Sequence, residues 1–281
     1  MQHQEGKFEG KGALSIYRQA WLPDKKDIRA SVVLLHGLGE HSGRYAEVAG
    51  HLVAAGCAVY ALDHRGHGRS GGHRVVVDRF AHAVEDIHTL IRHAKNEQKR
   101  KPLFLLGHSM GGALAISTAI KHGSDIDALI LSGPAVALDG APPLIGPISS
   151  LLSLLAPKMG LFSIDPALVS RDQSMVDAYA SDPLNAHGKV PARTLSEIVK
   201  FVAVVPALLH AIKMPLLVQH GSEDKLAGVK GSEMVVKRVS STDVTLKVYP
   251  GLYHEIYNEL PADRAQVFAD LVAWIKSHQP A

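Results

Sequence analysis

The sequence predicts an α/β protein in which helices cover both faces of a mostly parallel central sheet. Two observations support this prediction. Short apolar runs recur along the chain, and segments with helical spacing of apolar residues lie between them. The runs are continuous rather than alternating, which is typical of strands that are buried on both faces.

The elements follow in chain order. Alternation over residues 8–21 predicts an antiparallel hairpin that turns near Lys11 and Gly12. The parallel strands are predicted at residues 31–35, 58–62, 103–106, 128–131, 215–219 and 245–249, and the main helices at residues 45–55, 79–98, 111–122 and 263–277.

The alternation of strands and helices stops in a proline-rich stretch, residues 139–214. A structureless loop of that length is uncommon inside a compact domain, so we predict an inserted helical cap. The core domain then comprises residues 1–138 and 215–281. Residues 144–164 are apolar but interrupted by proline and glycine, which predicts short helices. They form either the core of the cap or a mobile lid that touches lipid or a membrane surface.

Composition narrows the classes of function. The chain has 30 basic and 27 acidic residues and a single dense basic run, residues 99–101, so we expect no nucleic-acid partner. The only cysteine, Cys57, excludes an internal disulfide and a cysteine-based metal cage. The N-terminus lacks a secretory pattern, and we find no uninterrupted apolar run that approaches the ~20 residues of a membrane span. We expect a cytoplasmic protein, with peripheral membrane association as the open alternative.

The strongest local motif is Gly107-His108-Ser109-Met110-Gly111-Gly112, which lies between a predicted strand and a predicted helix. The pattern G-x-S-x-G is weak alone, but this strand–turn–helix context is typical of a nucleophile elbow. The motif therefore predicts Ser109 as a nucleophile, and Ser109 needs a base to take its proton.

The chain has many histidines and acidic residues, so we choose the base and the acid by their place in the sequence relative to the predicted strands. Asp224 and His254 follow the last two predicted strands, in the order Ser, Asp, His that this type of fold uses. We predict the triad Ser109, His254 and Asp224, with Glu223 as the alternative acid.

The glycine-rich segment 36–39 follows an earlier strand, so we predict an oxyanion hole made by the backbone N–H groups of Leu38 and Met110. The alternative is that His36 and Gly37 simply end a strand. His64 and His67 beside Asp63 look like part of a metal site, but no further ligand lies nearby in the sequence, and we predict no metal.

Four segments carry a family resemblance. Residues 36–45, 63–70, 107–112 and 181–184 together resemble the monoacylglycerol lipases, and the similarity extends over nearly the whole chain, most closely to bacterial members. The resemblance implies an α/β-hydrolase fold with a cap over an acyl tunnel. It also implies hydrolysis of monoacylglycerols to fatty acid and glycerol without a cofactor. By the same resemblance, substrate-binding residues near the polar end of the site are Glu40, Arg44, His108 and Tyr179.

Two alternatives stay open from the sequence. A general carboxylesterase or a lysophospholipase can use the same scaffold, because fold does not fix substrate. A non-catalytic binding module of the same fold is disfavoured, because such relatives usually lack a triad member and all three are present here.

Overall fold

The parallel strands at the centre of the sheet are built from continuous apolar segments, as predicted. The computed structural model describes residues 1–24, 28–137 and 144–279. Within them, eight strands form one sheet in the order β1-β2-β4-β3-β5-β6-β9-β10. Its strands are β1 (Gln2–Gly10), β2 (Leu14–Leu22), β3 (Ala30–Leu35), β4 (Cys57–Leu62), β5 (Leu103–His108), β6 (Ala128–Ser132), β9 (Leu216–Gly221) and β10 (Val244–Tyr249).

All neighbouring strands from β4 to β10 run parallel, and β2 pairs antiparallel with β4. The strands β1 and β2 form the predicted antiparallel hairpin, but its first strand begins at Gln2 and not at residue 8. The main helices are α1 (Ala46–Ala54), α2 (Phe80–Glu97), α3 (Met110–His122), α7 (Val229–Arg238) and α8 (Pro261–Ser277). The predicted fold class is thus confirmed.

The core has one layer on each side of the sheet. Along β3, Val33 and Leu35 face the layer formed by α2, α3 and α7, whereas Val32 and Leu34 face the layer of α1 and α8. All four side chains are fully buried. Because successive side chains of a strand point to opposite faces, burial on both faces explains why the strand sequence does not alternate.

The chain leaves the sheet after β6 and returns at β9. Between them lie α4 (Ile145–Leu155), β7 (Gly160–Phe162), α5 (Gln173–Ser181), β8 (Val190–Pro191) and α6 (Ala192–Leu208). The predicted first residue of the insertion, 139, lies outside the described residues. Helix α4 begins before Pro147 and continues through it, because the first turn of a helix needs no N–H donor. The strand pair β7–β8 was not predicted.

One helix of the segment between β6 and β9 is long and apolar. Among the described helices, Ala192–Ala211 is long and apolar enough to cross a membrane by length and composition. Arg193, Glu197 and Lys200 interrupt its apolar residues, so this helix is not an uninterrupted apolar run of the kind that the sequence analysis looked for. The apolar side chains of α6 at Leu195, Ile198, Phe201 and Val205 are buried. This helix packs against the hydrophobic core through its apolar face.

Candidate active site

Ser109 occupies the single residue between β5 and α3. Its backbone has φ +53° and ψ −119°, a region that residues other than glycine rarely adopt. A Cβ on Gly107 would lie 2.3 Å from the carbonyl oxygen of Gly111, and one on Gly111 would lie 2.4 Å from that of Leu35. The turn therefore requires glycine at both positions, and it presents Ser109 at the carboxyl end of the sheet.

The predicted acid and base contact each other. His254 Nδ1 donates a hydrogen bond to Asp224 Oδ2 over 2.6 Å, and both residues are buried. His254 and Ser109 line the same cavity. The alternative acid Glu223 is exposed, so the structure places Asp224 and not Glu223 against the imidazole.

The charges of the pair stabilise each other. Burial alone would raise the pKa of Asp224, but the charge of His254 and hydrogen bonds from His220 and His254 lower it below its usual range. Burial alone would lower the pKa of His254, but the carboxylate of Asp224 raises it above 6.5. Asp224 is therefore ionised at neutral pH and supports a positive charge on the imidazole.

Two residues that help to hold this pair, His220 and Gly133, were not predicted from the sequence. His220 Nε2 lies 3.1 Å from Asp224 Oδ2, and its ring is fully buried. The other oxygen of Asp224 accepts backbone N–H groups from Leu226 and Ala227 at 2.8 and 2.9 Å. These contacts hold the carboxylate in one orientation.

The second missed support is Gly133, which follows β6. It has φ +48°, and a Cβ there would lie 3.3 Å from both Asp224 Oδ2 and His254 Nδ1. Glycine at this position leaves room for the acid and the base to meet. No pattern in the sequence signals it, because the contact depends on β6 and β9 being neighbours in the sheet.

The predicted oxyanion donors lie beside Ser109. Leu38 and Met110 line the cavity, and a Cβ on Gly37 would lie 3.2 Å from the Cβ of Ser109. In the described part of the chain, the N–H groups of Leu38 and Met110 donate to no protein acceptor. Gly39 has φ +79°, so the loop turns sharply just after Leu38. Both donors are thus available to a ligand.

A buried ion network forms one wall of the cavity. Arg44 donates to Glu40 Oε2 at 2.5 Å and to both oxygens of Glu255 at 2.7 Å. Glu40 Oε1 accepts from Gly37 N–H at 2.5 Å and from the Tyr45 hydroxyl at 2.7 Å. Glu255 was not predicted, although it directly follows His254 in the sequence.

In this network the guanidinium of Arg44 pairs with two carboxylates, and their pKa values shift in opposite directions. Burial opposes ionisation of both, and the nearby Glu255 adds to it, so the pKa of Glu40 is raised. The two-point contact with Arg44 outweighs burial and lowers the pKa of Glu255 to about 2. The wall therefore combines a firm ion pair with a carboxyl group that accepts a proton more readily than usual.

His108 and Tyr179 complete the polar wall. Burial, with a further contribution from His254, lowers the pKa of His108 to about 3, so its ring is neutral. His108 Nδ1 lies 3.0 Å from the carbonyl oxygen of Ser132, and its ring centroid is 4.6 Å from that of His254. The guanidinium of Arg44 lies over the ring of Tyr179, 4.8 Å from its centroid.

The cavity above Ser109 encloses about 130 Å³ between the sheet and the insertion. Most of its exposed surface is apolar, and the polar groups gather beside Ser109. Its apolar lining comes from Ala135, Ala137, Phe162, Ile164, Val169, Leu195, Ile198 and Leu226.

The residues considered for a metal site from the sequence are held by other groups. Asp63 accepts backbone N–H groups from Ser42 at 2.8 Å and from Arg69 at 2.7 Å. His67 Nδ1 is hydrogen-bonded to the carbonyl oxygen of Arg65. These hydrogen bonds brace the loop.

A different cluster, not predicted, lies among the described residues on the outer side of α2 and α3. The ligand atoms of Glu85, His88 and His122 lie within 4.8 Å of one another. Lys121 Nζ, however, is 2.6 Å from Glu85 Oε1. The two imidazole rings are stacked at 3.7 Å with parallel planes, so their lone pairs do not converge.

Fold, elbow and acid–base pair define the class of an α/β-hydrolase. A family model described as serine aminopeptidase, S33, matches residues 26–261. A monoacylglycerol lipase of Mycolicibacterium smegmatis is 45% identical over 275 residues, covering 98% of this chain and 97% of the relative. The chain belongs to the monoacylglycerol lipase family of the α/β-hydrolases, as the resemblance implied.

Solved structures agree with this membership. The crystal structure of Paleococcus ferrophilus monoacylglycerol lipase matches with a TM-score of 0.82 and 30% identity, over 99% of this chain and 100% of that chain. A carboxyl esterase of Bacillus coagulans, in complex with glycerol, matches with a TM-score of 0.83 and 26% identity over 99% of each chain.

Proposed function

We propose that this protein hydrolyses monoacylglycerols to a fatty acid and glycerol through an acyl-enzyme formed on Ser109. The observation that supports this best is the amphipathic cavity. Its apolar lining suits one acyl chain, and the polar groups beside Ser109 suit a small hydroxylated head. A monoacylglycerol has the same division between its two ends.

The chemistry is acyl transfer in two steps. Ser109 Oγ attacks the ester carbonyl while His254 takes its proton, and the N–H groups of Leu38 and Met110 stabilise the negative oxygen. His254 then protonates the departing glycerol oxygen, which leaves the acyl group on Ser109. Water attacks next by the same route and releases the fatty acid. Asp224 orients His254 and stabilises its charged form throughout.

Substrate selectivity follows from the two ends of the cavity. Each buried methylene of the acyl chain contributes about 0.8 kcal/mol, so a long chain binds better than an acetyl group. The glycerol head lies near Glu40, Arg44, His108 and Tyr179 in this proposal. Because Arg44 and Glu40 already pair with other protein groups, the polar wall is held in place, and in this proposal it accepts a glycerol head and not a second acyl chain.

The insertion, residues 139–214, acts as a separable cap in this proposal. Helix α4 contains no charged residue, and Leu154 and Leu155 are 77% and 75% exposed. Exposed leucines this close together favour transient contact with a lipid surface by a cytoplasmic protein.

Co-sedimentation with phosphatidylcholine vesicles tests this contact. Leu154→Asp/Leu155→Asp should lower the bound fraction. Leu260→Asp, at an exposed apolar position outside the cap, is the matched control. Equal binding by all three proteins would remove the contact from the proposal.

A general carboxylesterase is the second candidate, and the likeness to the Bacillus coagulans carboxyl esterase favours it. A lysophospholipase is less well supported, because its phosphate needs a free cation and Arg44 is already paired with two carboxylates.

The deciding experiment measures fatty-acid release from 1-monooleoylglycerol, dioleoylglycerol, trioleoylglycerol, lysophosphatidylcholine and p-nitrophenyl butyrate. Ser109→Ala is the control, with an expected loss of turnover on the order of 10⁶-fold. Preference for the monoacylglycerol supports the proposal. Comparable rates on lysophosphatidylcholine or the short ester would reduce it to an esterase of broad substrate range. Turnover retained by Ser109→Ala would contradict the assignment of the nucleophile.

A further inference from the structure

The cap contacts the backbone of the loop that carries Leu38. The segment after α5, residues 182–187, lies against residues 39–41 of that loop. Ala186 N–H donates to the carbonyl oxygen of Gly39 over 2.7 Å. Asp182 Oδ2 lies 2.8 Å from His41 Nε2. These two contacts join the insertion to the loop one residue and three residues beyond Leu38.

The tautomer of His41 follows from its two hydrogen-bond partners. His41 Nδ1 accepts the backbone N–H of Gly43 at 3.2 Å, so the ring proton lies on Nε2 and is donated to Asp182. The contact therefore does not require a charged imidazole. The other oxygen of Asp182 accepts Leu184 N–H at 2.8 Å, which fixes the carboxylate.

Asp182 is an ionised acceptor. Burial raises the pKa of its carboxyl group, but the hydrogen bonds from His41 and Leu184 outweigh burial and lower the pKa below its usual value. An ionised acceptor makes a stronger hydrogen bond than a neutral one. Helix α5 ends just before Asp182, because the next residue is Pro183 and the residue before a proline disfavours the helical conformation.

The loop is held by different groups on the two sides of Leu38. Before Leu38, the N–H of Gly37 is held by Glu40. After Leu38, Gly39 and His41 are held by the cap. A peptide that is fixed on both sides cannot rotate without breaking one of these contacts.

We propose that Asp182 is a positioning residue, which acts through His41 to aim the Leu38 N–H at the oxyanion. Cap position and oxyanion stabilisation are thereby coupled. This inference rests on the proposed role of Leu38 in the proposed function. It does not depend on which ester is the substrate.

Steady-state kinetics on p-nitrophenyl butyrate and 1-monooleoylglycerol test the coupling. Asp182→Ala and His41→Ala should each lower kcat by about 10- to 100-fold, because complete loss of one oxyanion donor costs about 10²- to 10³-fold. KM should change by less than about threefold, since the donor acts mainly on the transition state. His41→Gln should recover most of the lost kcat, because its amide N–H can still reach Asp182.

A trifluoromethyl ketone inhibitor gives a second measurement, because its adduct with Ser109 carries a negative oxygen in the same hole. Its Ki should rise in Asp182→Ala by about the factor by which kcat falls. The double variant Asp182→Ala/His41→Ala should lower kcat by less than the product of the two single effects, because each single variant already breaks the contact between Asp182 and His41. Thermal melts identify variants that have simply lost stability.

The matched control is Glu197→Ala. Glu197 ties the cap to the core at the far side, by accepting the N–H of Phe80 at 3.0 Å, and does not contact residues 37–41. This variant should keep kcat and Ki. Equal losses of kcat in Glu197→Ala and Asp182→Ala would show only a loosened cap and would overturn the inference. So would an unchanged Ki in Asp182→Ala.

Failure of the proposed function is a separate outcome. If a fluorophosphonate probe labels the wild type but not Ser109→Ala, the nucleophile stands and the Asp182 comparison can be judged on the short ester alone.

Discussion

Gly133 allows a sharp test of how tightly the acid–base pair is packed. Gly133→Ala places a Cβ 3.3 Å from Asp224 Oδ2 and from His254 Nδ1, so one of these atoms must shift by a few tenths of an ångström. The hydrogen bond between them is already short, at 2.6 Å, so the two atoms cannot move closer together. A 1 Å misplacement of a catalytic group can cost about 10²-fold, so we expect kcat to fall by about 10-fold.

The same change has a separate effect on stability. Alanine at φ +48° costs about 1–2 kcal/mol of unfolding free energy. A chain of this size loses about 2–4 °C of Tm per kcal/mol, so the expected fall in Tm is about 2–8 °C. Strain and catalysis must therefore be measured separately.

Gly56→Ala is the matched control. Gly56 has φ +86° and lies between α1 and β4, where a Cβ would meet only Arg29 at an ordinary 3.5 Å. We expect a similar fall in Tm with unchanged kcat. The assay is ester turnover at 25 °C together with thermal unfolding by circular dichroism. Wild-type kcat in Gly133→Ala would refute the claim that this glycine makes room for the acid and the base.

Three further predictions concern the site and its surroundings. Asp224 raises the pKa of His254 above 6.5, and only the neutral imidazole accepts the proton of the nucleophile, so kcat/KM should fall as the pH drops through that raised pKa. Asp224→Asn should move this fall in kcat/KM to lower pH and reduce kcat by about 10⁴-fold, which a pH–rate profile measures. Burial raises the pKa of the Cys57 thiol to about 12, so a thiol reagent should label it only after unfolding in guanidinium; rapid labelling of the native protein would contradict this. Gly107→Ala should yield no folded protein, judged by expression and circular dichroism, because its Cβ would meet the Gly111 carbonyl oxygen at 2.3 Å.

The parts of the fold that could be predicted from the sequence depend on local physical constraints. Strands such as β3 are buried on both faces, and this burial leaves a continuous apolar run. The elbow could be predicted for the same reason, because a tight turn needs glycine at Gly107 and Gly111 at fixed distances from Ser109. In both cases the residues concerned are close together in the chain.

The unpredicted parts depend on contacts between distant residues. Gly133 and His220 come together at Asp224 only because β6 and β9 are neighbours, and their spacing in the sequence carries no signal. Glu255 was missed for the same reason, because its partner in the ion network is Arg44, which lies 211 positions away in the sequence. The strand pair β7–β8 is too short for any periodicity to appear.

The placement of the insertion in the sheet has an evolutionary consequence. The chain leaves after β6 and returns at β9, and these two strands are hydrogen-bonded to each other, with Leu129 opposite Leu216. The ladder is therefore complete without any residue of the intervening segment. Natural selection can lengthen, shorten or exchange that segment while the strands that carry Ser109, Asp224 and His254 keep their register. New substrate ranges can thus arise on this scaffold without rebuilding its chemistry.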